Sequence, residues 1–245
     1  DTFESNTADG QGGAIYNENT LTSTNNTFEG NTAEGNGGAV FNAGNSYKSS
    51  NTTYKSNSAK SENSTNDFEG RDGGGAIYND GSLEVFNDVF ESNSATGGSG
   101  GAIYNDYRND ETIISGSTSF NNNTAKYSGG AIYNNSGTLY LTHQGTDFNT
   151  KTNITFTLNE SNGSEEAMGG GAIYNNEDSF IKSAGVAFTN NLASDSGGAI
   201  YNLGEYEAVN GDTFIGNSAS YGGAIYNAAG ANANSTSNVF CGNSV

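Results

Sequence analysis

The chain has 245 residues, 27 Asp and Glu against eight Lys and Arg, and a formal net charge of -19. A surface of that sign repels phosphate backbones and anionic lipid, which argues against nucleic acid as a partner and against membrane insertion by this segment. A single cysteine, Cys241, and a single histidine, His143, exclude an internal disulfide and a histidine-based metal cluster, and no apolar run approaches the roughly 18 residues that span a bilayer.

In chain order, Phe3-Glu-Ser-Asn6 opens the first unit with an aromatic-x-x-Asn motif that returns at Phe28, Tyr54, Phe90, Phe120, Phe156, Phe188, Phe214 and Phe240. The hexapeptide Gly-Gly-Ala-Ile-Tyr-Asn alternates with it, starting at Gly12, Gly74, Gly100, Gly129, Gly170, Gly197 and Gly222, with a Gly-Gly-Ala-Val-Phe-Asn variant at Gly37. Successive copies are 25, 37, 26, 29, 41, 27 and 25 residues apart. Such recurrence means one supersecondary unit stacked many times, so residues 1–245 read as a single elongated repeat domain without a linker.

Within the unit the hexapeptide is followed by a turn, by Leu21-Thr-Ser-Thr24, and by Asn26-Thr-Phe-Glu-Gly-Asn-Thr-Ala33. That predicts three short strands and three corners. In Ser82-Leu-Glu-Val-Phe86 the apolar Leu83 and Val85 fall on one face with the period of a half-buried strand, and helical spacing is absent. Units of about 25 residues with aromatic and β-branched positions in register describe an all-β, right-handed parallel β-helix of about eight to nine coils. The absence of proline agrees, since nearly every backbone N–H is needed for pairing between coils.

The expected interior holds one stack of Ile15, Val40, Ile77, Ile103, Ile132, Ile173, Ile200 and Ile225 and another of the motif aromatics. Two asparagine series are expected as structural ladders: Asn17, Asn42, Asn79, Asn105, Asn134, Asn175, Asn202 and Asn227, and Asn6, Asn31, Asn57, Asn93, Asn123, Asn159, Asn191, Asn217 and Asn243. An amide carries two donors and an acceptor oxygen, so identical amides at strand spacing can bond one another and the corner backbone. Paired glycines before each Ala-Ile-Tyr allow a corner at positive φ and are not a phosphate loop.

Alternation puts Ile and Asn on one face and Ala and Tyr on the other, so that Tyr16, Tyr78, Tyr104, Tyr133, Tyr174, Tyr201 and Tyr226 stack outside as an aromatic ladder, a candidate surface for sugar rings or a partner. The opposite phase is the alternative. Insertions break the pattern at 60–73, 106–112 and 149–169, and loops on a rigid scaffold are where specificity resides. At the third break Phe148 competes with Phe156 for the motif position, which would move the inserted loop. The first loop carries Glu62, Asp67, Glu69, Arg71 and Asp72, the second Asp106, Arg108, Asp110 and Glu111. These read as solvated charges; a calcium-assisted lyase site is the competing reading. No catalytic residue, cofactor or metal ligand is assigned, because His143 and Cys241 lack partners in repeat register.

The alternation of Gly-Gly-Ala-Ile with Phe-x-x-Asn over essentially the whole chain resembles the paired tetrapeptide repeats of the polymorphic outer-membrane protein family of autotransporter adhesins. The resemblance implies a non-catalytic bacterial passenger at the cell surface or outside the cell, exported through a C-terminal β-barrel and attaching to a host surface protein or glycan, or self-associating. The consistent Tyr-Asn after Gly-Gly-Ala-Ile departs from the family pattern. The first and last residues stand in the same phase of the repeat without a polar cap, which makes a fibre stacking through open β-helix ends the first alternative. A polysaccharide-acting β-helix enzyme is the second.

Overall fold

The computed structural model describes residues 1–61, 72–106, 111–163 and 168–245, and every regular element among them is a β-strand. The strands form four parallel sheets, each coil contributing to them in turn. The aromatic motif builds a nine-stranded sheet from Thr2–Glu4 to Val239–Cys241, and Ile-Tyr-Asn builds an eight-stranded sheet from Ile15–Asn17 to Ile225–Asn227. A second eight-stranded sheet, here called the fourth sheet, runs from Thr20–Thr24 to Asn232–Ser235. These are the three predicted strands of each coil. Two-residue strands such as Thr32–Ala33 add a seven-stranded sheet at the corner after the aromatic strand.

Register follows the motifs across the insertions. Tyr54 pairs Phe90, and Ile77 pairs Val40, although 62–71 lie between the coils. Phe156 pairs Phe120 on one side and Phe188 on the other, so it holds the motif position. The expected loop at 149–169 is therefore interrupted by Thr155–Thr157 and Glu160–Ser161, and the extra residues fall partly before these strands, at 143–154. The second expected loop ends earlier than 112, because Glu111 begins a strand of the fourth sheet.

The core joins the aromatic stack, the Ile and Val stack and the inward residues of the fourth sheet, among them Leu83, Val85, Ile114, Leu139, Leu141 and Ile181. Its aromatic rings lie with centroids 4.6 to 5.1 Å apart and planes within 10° of parallel. That spacing is the inter-strand distance, so the sheet itself sets the stacking. The repeat alanines, Ala76 and Ala102 among them, belong to the same core and not to the tyrosine face. They precede the strand at the bend, and alternation begins only at Ile.

Both glycines of the corner are required. Gly100 has φ +65°, and a Cβ on Gly101 would overlap the carbonyl oxygen of Gly130 in the next coil. A second corner turns at the residue before each motif Asn, where Ser5, Gly30, Ser56, Ser92, Asn122, Leu158, Asn190, Gly216 and Gly242 all have φ between 53° and 66°. Leu158 is the one bulky side chain in that column, and it is 51% exposed.

The asparagines after this corner form a ladder in which each interior amide is used up. Asn93 Nδ2 donates to Asn123 Oδ1 at 3.0 Å and to the Tyr54 carbonyl at 3.0 Å, while its Oδ1 accepts from the Asn57 N–H and Nδ2, both at 3.0 Å. The arrangement repeats at Asn31, Asn123 and Asn217. The other series bonds Nδ2 to Oδ1 from Asn17 through Asn42, Asn79, Asn105, Asn134, Asn175 and Asn202 to Asn227, at 2.6 to 2.9 Å.

Asn93→Ala strips the Asn57 N–H of its acceptor, leaves the Asn57 side-chain amide only its bond to the Phe28 carbonyl, and removes one donor from the Tyr54 carbonyl; it should cost about 1 to 3 kcal/mol by denaturant unfolding. Leu158→Asn, which matches Asn122 and Asn190 on either side, should raise stability by about 1 kcal/mol in the same assay, because Asn tolerates the left-handed region and Leu does not.

Candidate functional site

Three of the four sheets repeat their sequence from coil to coil. The fourth does not. Thr-Leu-Thr-Ser-Thr, Ser-Tyr-Lys-Ser-Ser, Ser-Leu-Glu-Val-Phe and Ser-Phe-Ile-Lys-Ser occupy equivalent strands. Alternation sends the second and fourth residues of Ser82–Phe86 inward and leaves the rest outside, and the register aligns the middle outward residues as Thr22, Lys48, Glu84, Ile113, Tyr140, Lys182, Glu207 and Asn234. Lys48 pairs Glu84 at 2.8 Å and Lys182 pairs Glu207 at 3.0 Å. Exposed pairs of this kind stabilise little. Their effect is to cancel charge along one row of a chain whose net charge is -19.

Between those pairs lie Ile113 and Tyr140, with Phe86 and Phe180 in the flanking rows. The 143–154 insertion folds against this part of the face. Phe148 meets the Tyr140 ring edge-on, with centroids 5.4 Å apart and planes at 70°, and Lys182 Nζ lies 5.1 Å from the centre of the Phe148 ring. The Lys182 ammonium thus faces both a carboxylate and a π cloud. Backbone bonds from Gly116 N to His143 O at 3.0 Å and from Thr152 N to Ala184 O at 2.8 Å tie the insertion to the neighbouring coils, and Asn210 Nδ2 donates to Asn149 O at 3.0 Å. The Asn149 N–H holds the Asp147 carboxyl below its usual range, with smaller help from Thr150 and His143. Partial burial, then the Glu111 carboxylate, pushes the Tyr140 hydroxyl up. The result is a surface with a charge-paired middle row, aromatic rings and one aromatic-bearing loop, flanked by the exposed Glu111 and Glu205 carboxylates.

The tyrosines expected as an exposed ladder are placed differently. They do lie off the main core, but Tyr78, Tyr104, Tyr133, Tyr174 and Tyr201 form a second buried cluster and are only 1 to 6% exposed. Each ring is covered on both faces by its neighbours at 4.7 to 5.2 Å. Tyr16, which contacts Phe41 alone in the stack, is 51% exposed, and Tyr226 is half-buried. Burial pushes the Tyr78 and Tyr174 hydroxyls well up, and Tyr78 donates to Asp106 Oδ2 at 2.7 Å.

Of the acidic loops, Glu62, Asp67, Glu69, Arg71, Arg108 and Asp110 lie outside the described residues. Asp72 accepts from Asn36 Nδ2 at 2.7 Å and Asp106 from Asn135 Nδ2 at 2.6 Å, so both carboxylates serve neighbouring coils. Burial, and then the Asp106 charge, raises the Asp72 carboxyl. Cys241 and His143 are exposed, on the last aromatic strand and in the insertion. Tyr140, Phe148 and Lys182 were not among the expected site residues. Their signal in the sequence was negative: they stand outward on, or beside, the strand that fails to repeat.

Fold and repeat together define a parallel β-helix repeat protein with three fixed sheets and one free face. The model of the Chlamydia polymorphic membrane protein (Chlamydia_PMP) repeat matches residues 2–18, 27–43, 89–106, 117–135, 185–203 and 213–228. Those six segments are similar to that repeat. Each matched segment runs from an aromatic strand through the corner to Ile-Tyr-Asn, or to Val40-Phe-Asn42 in one coil, and every strand of the fourth sheet falls outside the matches. No curated protein and no solved structure matches the chain.

Phe148→Ala removes the ring that seats the insertion without opening the core. Amide exchange across 143–151 should quicken while global stability changes by about 1 kcal/mol or less.

Proposed function

We propose that this chain is a surface-exposed, non-catalytic β-helical segment of a bacterial adhesin of the polymorphic membrane protein type, acting outside the cell. Attachment to a host-surface protein or glycan runs through the outer face of the fourth sheet and the 143–154 insertion. The observation that carries this reading is the division of the repeat. The matched segments hold aromatic, corner and Ile-Tyr-Asn-type strands, and although some strands of those sheets also go unmatched, no matched segment holds a strand of the fourth sheet. A scaffold that holds three sides constant and lets one vary is free to change what that side recognises at no cost to the fold.

The chemistry of the face agrees with recognition. Tyrosine is among the side chains that most often dominate binding energy, and Phe148 packs on both Tyr140 and the ion-paired, half-buried Lys182. Elsewhere the net negative charge disfavours close approach to anionic surfaces.

The combined variant Tyr140→Ala, Phe148→Ala, Lys182→Ala should bind host cells about 10-fold more weakly or worse, with an unchanged cooperative melt. Full binding by that variant, together with loss of binding when Glu29 and Glu91 on the aromatic sheet are changed, would move the attachment face.

A further inference from the structure

After the first coil, the residue before each aromatic strand stacks with its counterparts at the corner between the fourth sheet and the aromatic sheet: Asn26, Thr52, Asp88, Thr118, Ile154, Val186, Asp212 and Asn238. Two of these are carboxylic acids, both fully buried. Asp212 is well supplied with donors. Ser183 Oγ donates to its Oδ2 at 2.5 Å, Tyr206 OH to the same oxygen at 2.7 Å, and the Val186 N–H to Oδ1 at 2.9 Å. Asp88 is not. Its Oδ1 accepts the Thr52 N–H at 2.8 Å, and its Oδ2 has no hydrogen-bond partner.

The titratable groups facing Asp88 are the Tyr47 and Tyr54 hydroxyls, from the neighbouring fourth-sheet and aromatic strands. They bond to each other, and Ser49 Oγ is engaged with Tyr54 OH at 2.8 Å. Burial drives both phenols up, Tyr47 to about 12, so both stay neutral, and a phenol carries no positive charge to balance a carboxylate in either form. An ionised carboxylate with one oxygen bare of donors is costly in such surroundings; the neutral acid form costs less.

We propose that Asp88 is an internal proton-binding site, and that its protonation closes the corner between the strands Ser82–Phe86 and Val89–Glu91 while proton loss loosens it. Burial raises the carboxyl to about 7, against smaller opposing help from the Ser49 hydroxyl and the Thr52 N–H. An unfolded Asp titrates near ~3.9, so the folded state holds the proton more tightly. Stability from this group is fully present below about pH 4 and is lost as pH rises through the folded value near 7. A salt-bridged carboxylate behaves in the opposite way. Because a coil contacts only its neighbours, loosening is confined to the coils of Tyr54, Phe90 and Phe120.

The test compares the whole chain with Asp88→Asn and Asp212→Asn in thermal melts from about pH 5 to about pH 8.5. Asn26 and Asn238 occupy the same column, so the amide fits the site. The wild-type melting temperature should fall by several degrees towards the alkaline end, and Asp88→Asn should abolish most of that fall and melt above wild type there. A wild type without the fall, or a fall kept in Asp88→Asn and removed by Asp212→Asn, overturns the proposal. Carbon-13 titration of the Asp88 carboxyl in the native chain reads the site directly: a midpoint near 7 supports it, and one near the free value of ~4 overturns it.

Discussion

The structure depends on one constraint: in a parallel stack, whatever a residue does it must do again at the inter-strand spacing. Few polar side chains can satisfy themselves under that translation. The carboxamide can, because its two donors and two lone pairs match what the coils above and below require. The ladder through Asn31, Asn57, Asn93, Asn123, Asn159, Asn191 and Asn217 uses all four, pointing every side-chain donor pair at a neighbouring amide and a neighbouring carbonyl. Bonds in such a chain polarise one another, and a gap in a dry interior is costly. Aspartate would stack like charges and a shorter hydroxyl would not reach, which accounts for the near invariance of Asn within the chain.

The other repeated residues follow from keeping those amides in line. A left-handed residue turns the chain before each Asn, and Gly-Gly lets the opposite corner pass close to the next coil. Leu158 shows that the constraint falls on backbone conformation first: its φ of 57° matches its column even though its side chain does not suit that region.

This explains what the sequence made legible. Features that recur, such as the aromatic stack, the Ile and Val stack, both Asn series and the parallel pairing, could be read directly because repetition in sequence becomes contact in register. The Thr32–Ala33 type of strand is two residues long and has no periodicity to read. The tyrosine face was assigned to the correct side of its strand, but its burial depends on rings about 5 Å away, which alternation does not report. Phe148 and Phe156 were both acceptable motif aromatics, and only pairing with Phe120 and Phe188 separates them. The outward row of the fourth sheet carries no repeat, so its aromatic and charged residues had no positive signature, and Asp88 stands out only once its column is known. Constancy on three sides and freedom on one is therefore a physical division of labour between amide ladders and a face that no ladder constrains.

The central claim is that the buried amides, and not merely the apolar stacks, hold the coils in register. Hydrogen exchange of the Asn side-chain NH2 groups, followed residue by residue by NMR, tests it most directly. Asn57, Asn93, Asn123, Asn159 and Asn191 should exchange as slowly as the backbone amides of the aromatic sheet, with exposed Asn25 and Asn149 exchanging at the rate of a free amide. Fast exchange at the interior ladder positions beneath a protected backbone would contradict the account.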